Sequence, residues 1–359
     1  MGTKRLFAAI SGWGGMAGVA VCLMALLTAC GKAPLYQEQG YVFGTLVEVS
    51  IYGEEDAKAR AGVAAVMAEF QRLHQLLHAW QPSELSRLNA ALAQGKSATV
   101  TPEVAALLQD AAAYSAQSGE RFNPAIGGLI AAWGFQADEF KAVLPDEQRI
   151  AALVQARPRM SDLRFAPAVD GIRVSSRNRA VQLDLGGYAK GDALDRAAAI
   201  LKQQGIRNAL INIGGNVLAM GTHGERPWRV GIQHPRKPGP LALLALQDGE
   251  AIGTSGDYQR YFELGGKRYC HLIDPVSGRP VEGVQAVTVL TRGARAGVWS
   301  DVASKPLFIA GAAGWREAAR DIGQDMALLV DAQGRVHLTA AMQKRLEFSD
   351  PKTPVIIEE

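Results

Sequence analysis

The first 30 residues constrain this chain most, because they decide in which compartment it must fold. Lys4 and Arg5 precede an uncharged stretch, 6–29, whose apolar core ends at Leu27 and is typical of a secretory signal. The last residues, Leu27-Thr28-Ala29-Cys30, form a bacterial lipobox. We therefore predict a signal peptide over 1–29, lipidation of Cys30 and a tether over 30–40. The alternative is a signal-anchor helix that stays in the membrane, for which about 20 apolar residues would suffice.

Export restricts how the fold is stabilised. If Cys22 leaves with the signal and Cys30 carries lipid, Cys270 remains as a free thiol and no internal disulfide is expected. Core packing must then hold the protein together, and a 359-residue chain with 48% apolar residues can build a large core. Later apolar runs are interrupted by charges, Gly or Pro before they reach spanning length. We expect one compact unit with lobes over 41–350.

Hydrophobic periodicity and turn signals predict an α+β fold, a mixed α/β layered domain. Tyr41–Ile51 is β-rich, and apolar residues recur at helical spacing from Asp56, the predicted N-cap, to about His78. Thr101-Pro102 predicts the start of a helix. The remaining predicted elements are a helix over Glu103–Ser118, a strand at Val181–Leu185, a helix over Lys190–Gln204, a strand at Ala209–Ile213, and a late helix from about Gly297 that Pro306 kinks.

Three glycine-rich turns follow predicted strands, at 186–191, 214–216 and 253–258. The first turn places Lys190 at the start of a helix, where free N–H groups and the helix dipole attract phosphate. It is neither a dinucleotide fingerprint nor a Walker loop, so a tight structural turn is the alternative. Together the turns suggest an extended polyanionic ligand, whereas a net charge of +3 leaves no surplus positive field for a nucleic acid.

Candidate catalytic side chains stand near these turns. His271 precedes an Asp-Pro turn, and an imidazole with a pKa of about 6.5 can accept a proton at neutral pH. The same histidine is equally suited to capping that turn. Asp257 is a second candidate base. Asp301 and Lys305 lie one helical turn apart, which is also the spacing of an ordinary ion pair worth roughly a few tenths of a kcal/mol.

Six ordered motifs resemble those of the ApbE family, the FAD:protein FMN transferases, through most of the mature chain. They are Phe43-Gly44-Thr45, Ser83–Asn89, Phe122–Gly127, Leu183–Gly191, Thr254–Tyr258 and His271–Pro280. The resemblance implies an ApbE-like fold over 41–350. It also implies an enzyme that cleaves the FAD diphosphate, releases AMP and joins FMN through a phosphoester to a threonine or serine of a partner protein.

The positions of residues within these motifs imply their roles. His271 falls at the catalytic histidine of the family. Gly187, through its carbonyl, and Asp301 fall at magnesium positions, with Ser304 as a third. The residues that fall where family members contact FAD are Phe43, Trp80, Asn89, Arg121, Phe122, Asn123, Asp184, Lys190 and Ile273.

Two residues depart from the family pattern. Asn123 stands where the family usually has Asp, and we expect FAD binding to survive because the side chain keeps its shape and its hydrogen bonding. Lys305 stands where the family usually has a threonine that coordinates Mg²⁺, and an ammonium has no lone pair for a metal. Lys305 either pairs with Asp301 and occupies the place of the cation, or swings away and leaves Asp301, Ser304 and Gly187 to hold it. We favour the first arrangement.

The resemblance and the lipobox together predict a lipid-anchored enzyme of the bacterial cell envelope that faces the periplasm. Its partner would be an exported acceptor flavoprotein of a membrane redox system. One alternative is a pyrophosphatase that splits FAD into FMN and AMP, with water in place of the protein hydroxyl. A second alternative is a lipoprotein that binds FAD without chemistry, which an abolished metal site would favour.

Overall fold

The computed structural model describes residues 33–137 and 139–358. The predicted signal peptide and Cys30 lie outside the described residues. Within them the helices are α1 (Asp56–Leu77), α2 (Glu84–Ala93), α3 (Pro102–Gln117), α4 (Gly127–Ala132), α5 (Glu147–Ala156), α6 (Ala189–Gln203), α7 (Ala296–Asp321) and α8 (Ala340–Gln343). The strands are β1 (Leu35–Val42), β2 (Thr45–Tyr52), β3 (Ala98–Val100), β4 (Leu163–Ala168), β5 (Gly171–Ser176), β6 (Ala209–Ile213), β7 (Asn216–Met220), β8 (Trp228–Gln233), β9 (Pro240–Leu246), β10 (Glu250–Gly256), β11 (Tyr261–Leu264), β12 (Lys267–Cys270), β13 (Val284–Arg292), β14 (Ala327–Asp331), β15 (Val336–Thr339), β16 (Leu346–Phe348) and β17 (Val355–Glu358).

A nine-stranded sheet forms the centre of the fold, in the order β1-β2-β6-β7-β10-β13-β14-β15-β17. Its neighbouring strands are antiparallel except for β15 and β17, which pair in parallel. Smaller sheets are formed by β11-β12, β16-β9-β8 and β3-β5-β4. The prediction of a mixed helix and sheet fold is confirmed.

Side chains of the central strands alternate between two hydrophobic layers. On β13, Val287 and Val289 pack in a cluster with Leu307 of α7. Ala286 and Leu290 of the same strand pack on the other side, in a cluster with residues of β8 and β9. Because successive side chains of a strand point to opposite faces, this part of the sheet lies between a helical layer and a small sheet. Burial of both faces explains why β13 reads as a nearly continuous apolar run.

Local signals in the sequence located three helices closely. Thr101 accepts a hydrogen bond from Val104 N, and Pro102 is the first residue of α3. Helix α6 begins and ends one residue before the predicted limits. Helix α1 begins at Asp56, but its N-cap is Glu55 and no side chain caps it. The prediction of Asp56 as N-cap is therefore wrong by one residue.

The first predicted strand is the second arm of a hairpin. Phe43 and Gly44 have φ angles of 56° and 70° and form the turn between β1 and β2. Positive φ at both central residues suits the tight hairpin turns whose twist matches that of the flanking strands. Strand β1 starts at Leu35, within the predicted tether. Strand β17 pairs with β15 and ends at Glu358. Regular structure extends beyond both predicted limits of the domain, 41–350.

The predicted strand Val181–Leu185 is wrong, because it forms only one bridge, at Gln182. The side chain of Asn89 forms the backbone hydrogen bonds that a neighbouring strand would otherwise form here. Asn89 Oδ1 accepts a hydrogen bond from Leu183 N at 2.7 Å, and its Nδ2 donates to Leu183 O at 2.8 Å. The segment is thus extended without belonging to a sheet.

The kink of α7 is also misplaced in the prediction. Pro306 lies inside the regular part of the helix, whereas Gly311 has φ 70° and ψ 176°. A proline removes one helix hydrogen bond, but the conformation of Gly311 ends the helical path and suits glycine without strain. None of the helices in the described ranges combines the length and apolarity needed to cross a bilayer.

Candidate active site

A cavity of about 1060 Å³ lies where α1, α6, α7 and β10 approach one another. Its volume is at the upper end of the range of small-molecule sites and suits an extended ligand. Most of the residues that the sequence marked for FAD or catalysis line this cavity. They are Phe43, Trp80, Arg121, Phe122, Asn123, Asp184, Gly187, Lys190, His271, Ile273 and Lys305.

Flat rings gather at one end of the cavity, which we call the aromatic end: Phe43, His74, His78 and Trp80. The positive φ of Phe43 presents its ring to His74, with ring centroids 5.7 Å apart. His78 stacks edge-on between His74 and Trp80, at 5.0 Å and 4.5 Å. The guanidinium of Arg260 lies 5.9 Å from the Trp80 ring. Such a set offers faces and edges to a planar ring system.

Charge gathers at a second region, which we call the cationic end: Gly187, Lys190, Asp301 and Lys305. Lys305 Nζ donates to Asp301 Oδ1 at 2.5 Å and to Asp301 O at 2.6 Å. Lys190 Nζ lies 3.7 Å from the same carboxylate oxygen. Asp301 is only 1% exposed, whereas both lysines line the cavity. A buried carboxylate therefore holds two ammonium groups at the cavity wall.

Burial and charge set the protonation of these groups. Burial raises the pKa of Asp301, but the charges of Lys190 and Lys305 outweigh it and bring the pKa down to about 2. Burial lowers the pKa of Lys305 to about 8, against the opposing effect of Asp301. At neutral pH the carboxylate is therefore ionised and the ammonium of Lys305 is mostly charged.

Helices α6 and α7 reach this arrangement through very close backbone approaches. A Cβ added to Gly191 would stand 2.5 Å from Gly297 O, and a Cβ added to Gly253 would stand 2.2 Å from Ser300 O. Gly191 N also donates to Asp301 Oδ2 at 3.1 Å. Glycine at these two positions lets β10 and α6 contact α7 directly, which places Asp301 beside the start of α6.

The predicted magnesium ligands do not fit a divalent ion. Asp301 binds Lys305 with one carboxylate oxygen and Gly191 N with the other. The Ser304 hydroxyl is 1% exposed, donates to Asp301 O at 2.9 Å and lies 2.8 Å from Ser255 Oγ. Ammonium groups are donors without a lone pair for a metal. Among the residues that the structure describes, no group of three His, Cys, Asp or Glu side chains is placed to hold a metal ion.

His271 lies in the cavity wall, half-buried, with its ring oriented by the backbone. Its own N donates to Arg260 O at 3.0 Å, and its Nδ1 lies 3.2 Å from the same oxygen. A carbonyl only accepts, so Nδ1 carries the proton and Nε2 carries the lone pair. Burial, together with the charges of Arg260 and Lys190, lowers the pKa of His271 to about 3. The imidazole is thus neutral at neutral pH and has its lone pair at Nε2.

Four residues that the sequence marked do not line the cavity. Asp301 and Ser304 are buried behind its wall. The side chain of Asn89 is hydrogen-bonded to the backbone of Leu183. The structure does not bring Asp257 to the site, because both of its oxygens bind the Arg236 guanidinium, at 2.7 Å and 2.5 Å. Bidentate pairing with arginine makes this carboxylate a structural link outside the set of residues that line the cavity.

Several marked residues shape the loops that surround the cavity. Asn123 Nδ2 donates to Pro158 O at 2.9 Å, and its Oδ1 accepts from Ala125 N at 3.0 Å. Asp184 Oδ1 accepts from Gly186 N at 2.9 Å and so tightens the glycine turn before α6. The Oδ1 atoms of Asn123 and Asp184 each accept from the backbone N–H two residues further on, as short polar residues commonly do, and the Asn123 amide adds a bond to a segment distant in sequence.

The sequence reasoning missed Arg260 and set aside His74 and His78. Arg260 Nη2 donates to Phe135 O at 2.7 Å, its carbonyl orients His271, and its guanidinium lies over Trp80 and Phe140. A signal was present, since Arg260 follows the glycine-rich turn 253–258 by two residues. His74 and His78 are four residues apart at the end of α1. This spacing predicted a shared helix face and nothing about the cavity.

Comparison with known proteins gives one consistent result. The sequence model of the ApbE family matches residues 43–330. The FAD:protein FMN transferase of Rhodobacter capsulatus is 44% identical over 92% of this chain, which spans 62% of that relative and thus less than two thirds of it. The FAD:protein FMN transferase of Treponema pallidum is 30% identical, over 93% of this chain and 96% of the relative.

Solved structures agree with the sequence relatives. The ApbE protein of Thermotoga maritima superposes with a TM-score of 0.77 at 27% identity, over 87% of this chain and 99% of that one. The apo flavinyl transferase ApbE of Pseudomonas stutzeri gives 0.74 at 28% identity, over 88% and 98%. The fold is therefore that of the flavin transferase class. The chain belongs to the ApbE family.

Proposed function

We propose that this enzyme transfers the FMN part of FAD to a threonine or serine hydroxyl of a partner protein and releases AMP. The observation that carries the proposal is a single cavity lined by the rings of the aromatic end, by His271 and by both lysines of the cationic end. The isoalloxazine would contact the rings at the aromatic end, and the diphosphate would bind at the cationic end. This orientation agrees with the activity for which the relatives are named.

The transfer balances with the groups that the cavity supplies. The acceptor oxygen bonds to the phosphorus of the FMN half, while the bond from that phosphorus to the bridging oxygen breaks. AMP leaves with the electron pair and the bridging oxygen, and the proton of the hydroxyl passes to His271 Nε2. Such a reaction requires mainly in-line positioning and stabilisation of negative charge by fixed cations. The cationic end and His271 meet both requirements.

Magnesium is the second group that the family resemblance implies, and the residues of this chain argue against it. The carboxylate that would bind the ion already binds Lys305 and Gly191 N. We therefore assign no step of the reaction to a metal. FAD remains the substrate, and we assign the charge that the diphosphate requires to Lys190 and Lys305, which line the cavity.

The test combines the full chain in detergent with FAD and exported flavoprotein domains encoded by the same genome. Intact mass should show one acceptor domain gaining FMN less one water, with an equal amount of AMP released. Replacing the acceptor hydroxyl by Ala should abolish the gain. FMN and AMP formed equally fast without any acceptor would identify a pyrophosphatase instead, and FAD bound without turnover would identify a binding protein.

The location of the enzyme is proposed from the lipobox alone. With lipid on Cys30, the enzyme would be anchored in the cell envelope, face the periplasm and meet an acceptor that belongs to a membrane redox system. Cys30→Ser should shift the protein from the membrane fraction to the soluble fraction or leave it unprocessed. Cys22→Ser, within the predicted signal, is the matched control and should fractionate as wild type. Identical partition of the Cys30 variant and wild type would contradict the anchor.

A further inference from the structure

We propose that the ammonium of Lys305, held by Asp301, is a built-in cation that binds the FAD diphosphate and makes the transfer independent of a divalent metal. The inference rests on the proposed function and deepens it. It assigns Lys305 a direct contact with substrate in a reaction of this class, where a bound divalent ion commonly supplies the charge.

The first step of the argument is how Lys305 is held. Two of its three ammonium protons are directed to Asp301, one to Oδ1 and one to the backbone oxygen. The lysine side chain is 13% exposed and lines the cavity, so its third proton remains for a ligand. A charge fixed by two short hydrogen bonds does not have to be ordered when the substrate arrives.

The second step is what surrounds that charge. Lys190 Nζ lies 3.7 Å from the same Asp301 oxygen, so two ammonium groups share one carboxylate and leave the site with a net positive charge. Gly187, whose carbonyl was a predicted metal ligand, faces the stem of Lys305: a Cβ added there would stand 2.9 Å from Lys305 Cε. The lysine therefore occupies the space between the glycine turn and Asp301.

The third step is that a divalent ion would have to displace this arrangement. Asp301 would lose its hydrogen bond to Lys305, and the ammonium would stand within a few ångströms of the ion unless the side chain moved away. Like charges at such a distance in a partly buried site repel strongly. The built-in cation leaves the hydrogen bonds intact and presents positive charge to the same phosphate oxygens.

The experiment compares four proteins with FAD and the acceptor domain, after chelation with EDTA and again with added Mg²⁺. Wild type should transfer FMN in EDTA at a rate within about threefold of the rate with Mg²⁺. Lys305→Met should lose about 10²–10³-fold under both conditions, the range for removal of one stabilising donor. Lys305→Thr, which frees Asp301 and adds a hydroxyl, should lose as much in EDTA and recover with Mg²⁺. Lys202→Met, on the exposed side of α6, is the control and should match wild type.

Two binding measurements provide readouts that do not depend on turnover. Fluorescence polarisation should show that Lys305→Met weakens FAD binding by about tenfold or more, since a hydrogen bond to a charged group is lost, and leaves riboflavin binding unchanged. Electron paramagnetic resonance should show that Mn²⁺ binds tightly to Lys305→Thr and not to wild type. Thermal unfolding of each variant establishes that it is folded.

Strict dependence of wild type on Mg²⁺, or stoichiometric Mn²⁺ binding by wild type, would overturn the inference. Equal loss of FAD and riboflavin affinity in Lys305→Met would also overturn it, because the lysine would then not contact the diphosphate. Failure of the proposed function has a different signature, in which no variant transfers FMN under any condition. The binding measurements still decide the role of Lys305 in that case.

Discussion

The two ends of the cavity are built in different ways. The aromatic end comes from one local stretch, the β1–β2 turn, the end of α1 and the residues that follow it, all between residues 43 and 80. The cationic end joins the start of α6 to the middle of α7, and these elements are far apart in the sequence and meet only through close backbone contact. A substrate-recognition surface can therefore arise locally, whereas fixed charge requires the tertiary fold.

The two ends should also differ in how they respond to substitution. Ring contacts contribute about 0.5–1.5 kcal/mol each and are partly replaceable by neighbouring rings. Removing one partner from a buried ion pair costs more, about 3–5 kcal/mol, because the remaining charge is left without compensation. His271 is linked to both ends. The carbonyl of Arg260, whose guanidinium lies over Trp80, orients its ring, and burial together with the charges of Arg260 and Lys190 lowers its pKa.

The largest effect on FMN transfer is expected from substitution of His271. His271→Ala should reduce FMN transfer by about 10²–10⁴-fold, because the proposed acceptor for the proton of the attacking hydroxyl is removed. FAD affinity should change less than about threefold, since the proposed proton transfer stabilises the transition state and not the bound substrate. Steady-state transfer and fluorescence polarisation measure the two quantities. His234→Ala, outside this cavity, is the control, and near-normal turnover of His271→Ala would remove the histidine from the mechanism.

A smaller effect is expected at the aromatic end. Trp80→Ala should weaken FAD and riboflavin by the same factor, about tenfold or less, because both ligands carry the ring system and only one carries the diphosphate. Binding of AMP should not change. Titration of all three ligands by calorimetry tests this, and a loss confined to FAD would place the isoalloxazine elsewhere and end the distinction between the two ends.

The smallest effect concerns pH. Burial and neighbouring positive charges hold the pKa of His271 at about 3, so the ring should stay neutral from pH 8 to pH 5 in the free enzyme. In the unfolded chain the pKa of histidine is about 6.5. Between the folded and the unfolded pKa, the unfolded state therefore binds more protons than the folded state. The free energy of unfolding consequently falls as the pH drops below about 6.5. Imidazole ¹⁵N shifts, assigned with His271→Gln, measure the titration. A midpoint near 6.5 would show that neither burial nor the neighbouring positive charges act on His271.

Much of the fold and of the site was predictable from local chemistry. Thr101-Pro102 marked the start of α3, and the glycine turn with Lys190 marked the start of α6. The motif positions of His271 and Phe43 placed both side chains in one cavity. The two helix starts depend on residues adjacent in the sequence, which is why local signals revealed them, whereas the shared site of His271 and Phe43 was implied by the resemblance to the ApbE family.

The features that escaped prediction depend on partners distant in sequence. Asn89 was expected at FAD and instead pairs with Leu183, where it takes the part of a strand. Asp257 was expected as a base and instead binds Arg236, which no spacing could show. Asn123 is a related case, because its amide donates to Pro158 O and an Asp at that position would have no proton to donate. This hydrogen bond explains why position 123 carries an amide in this chain.

The glycines beneath the cationic end have a consequence for how the enzyme responds to its substrate. At Gly253 and Gly191 there is no side chain that could rotate or yield between β10, α6 and α7. Asp301, which holds the ammonium groups of Lys305 and Lys190, is therefore fixed by closely packed backbone, so the positive field at the phosphate position is present before any ligand enters. Catalytic fields of this kind require almost no reorganisation energy. The same rigidity means that a single added methyl group at Gly253 would displace the source of the field, and neighbouring side chains have no freedom with which to restore it.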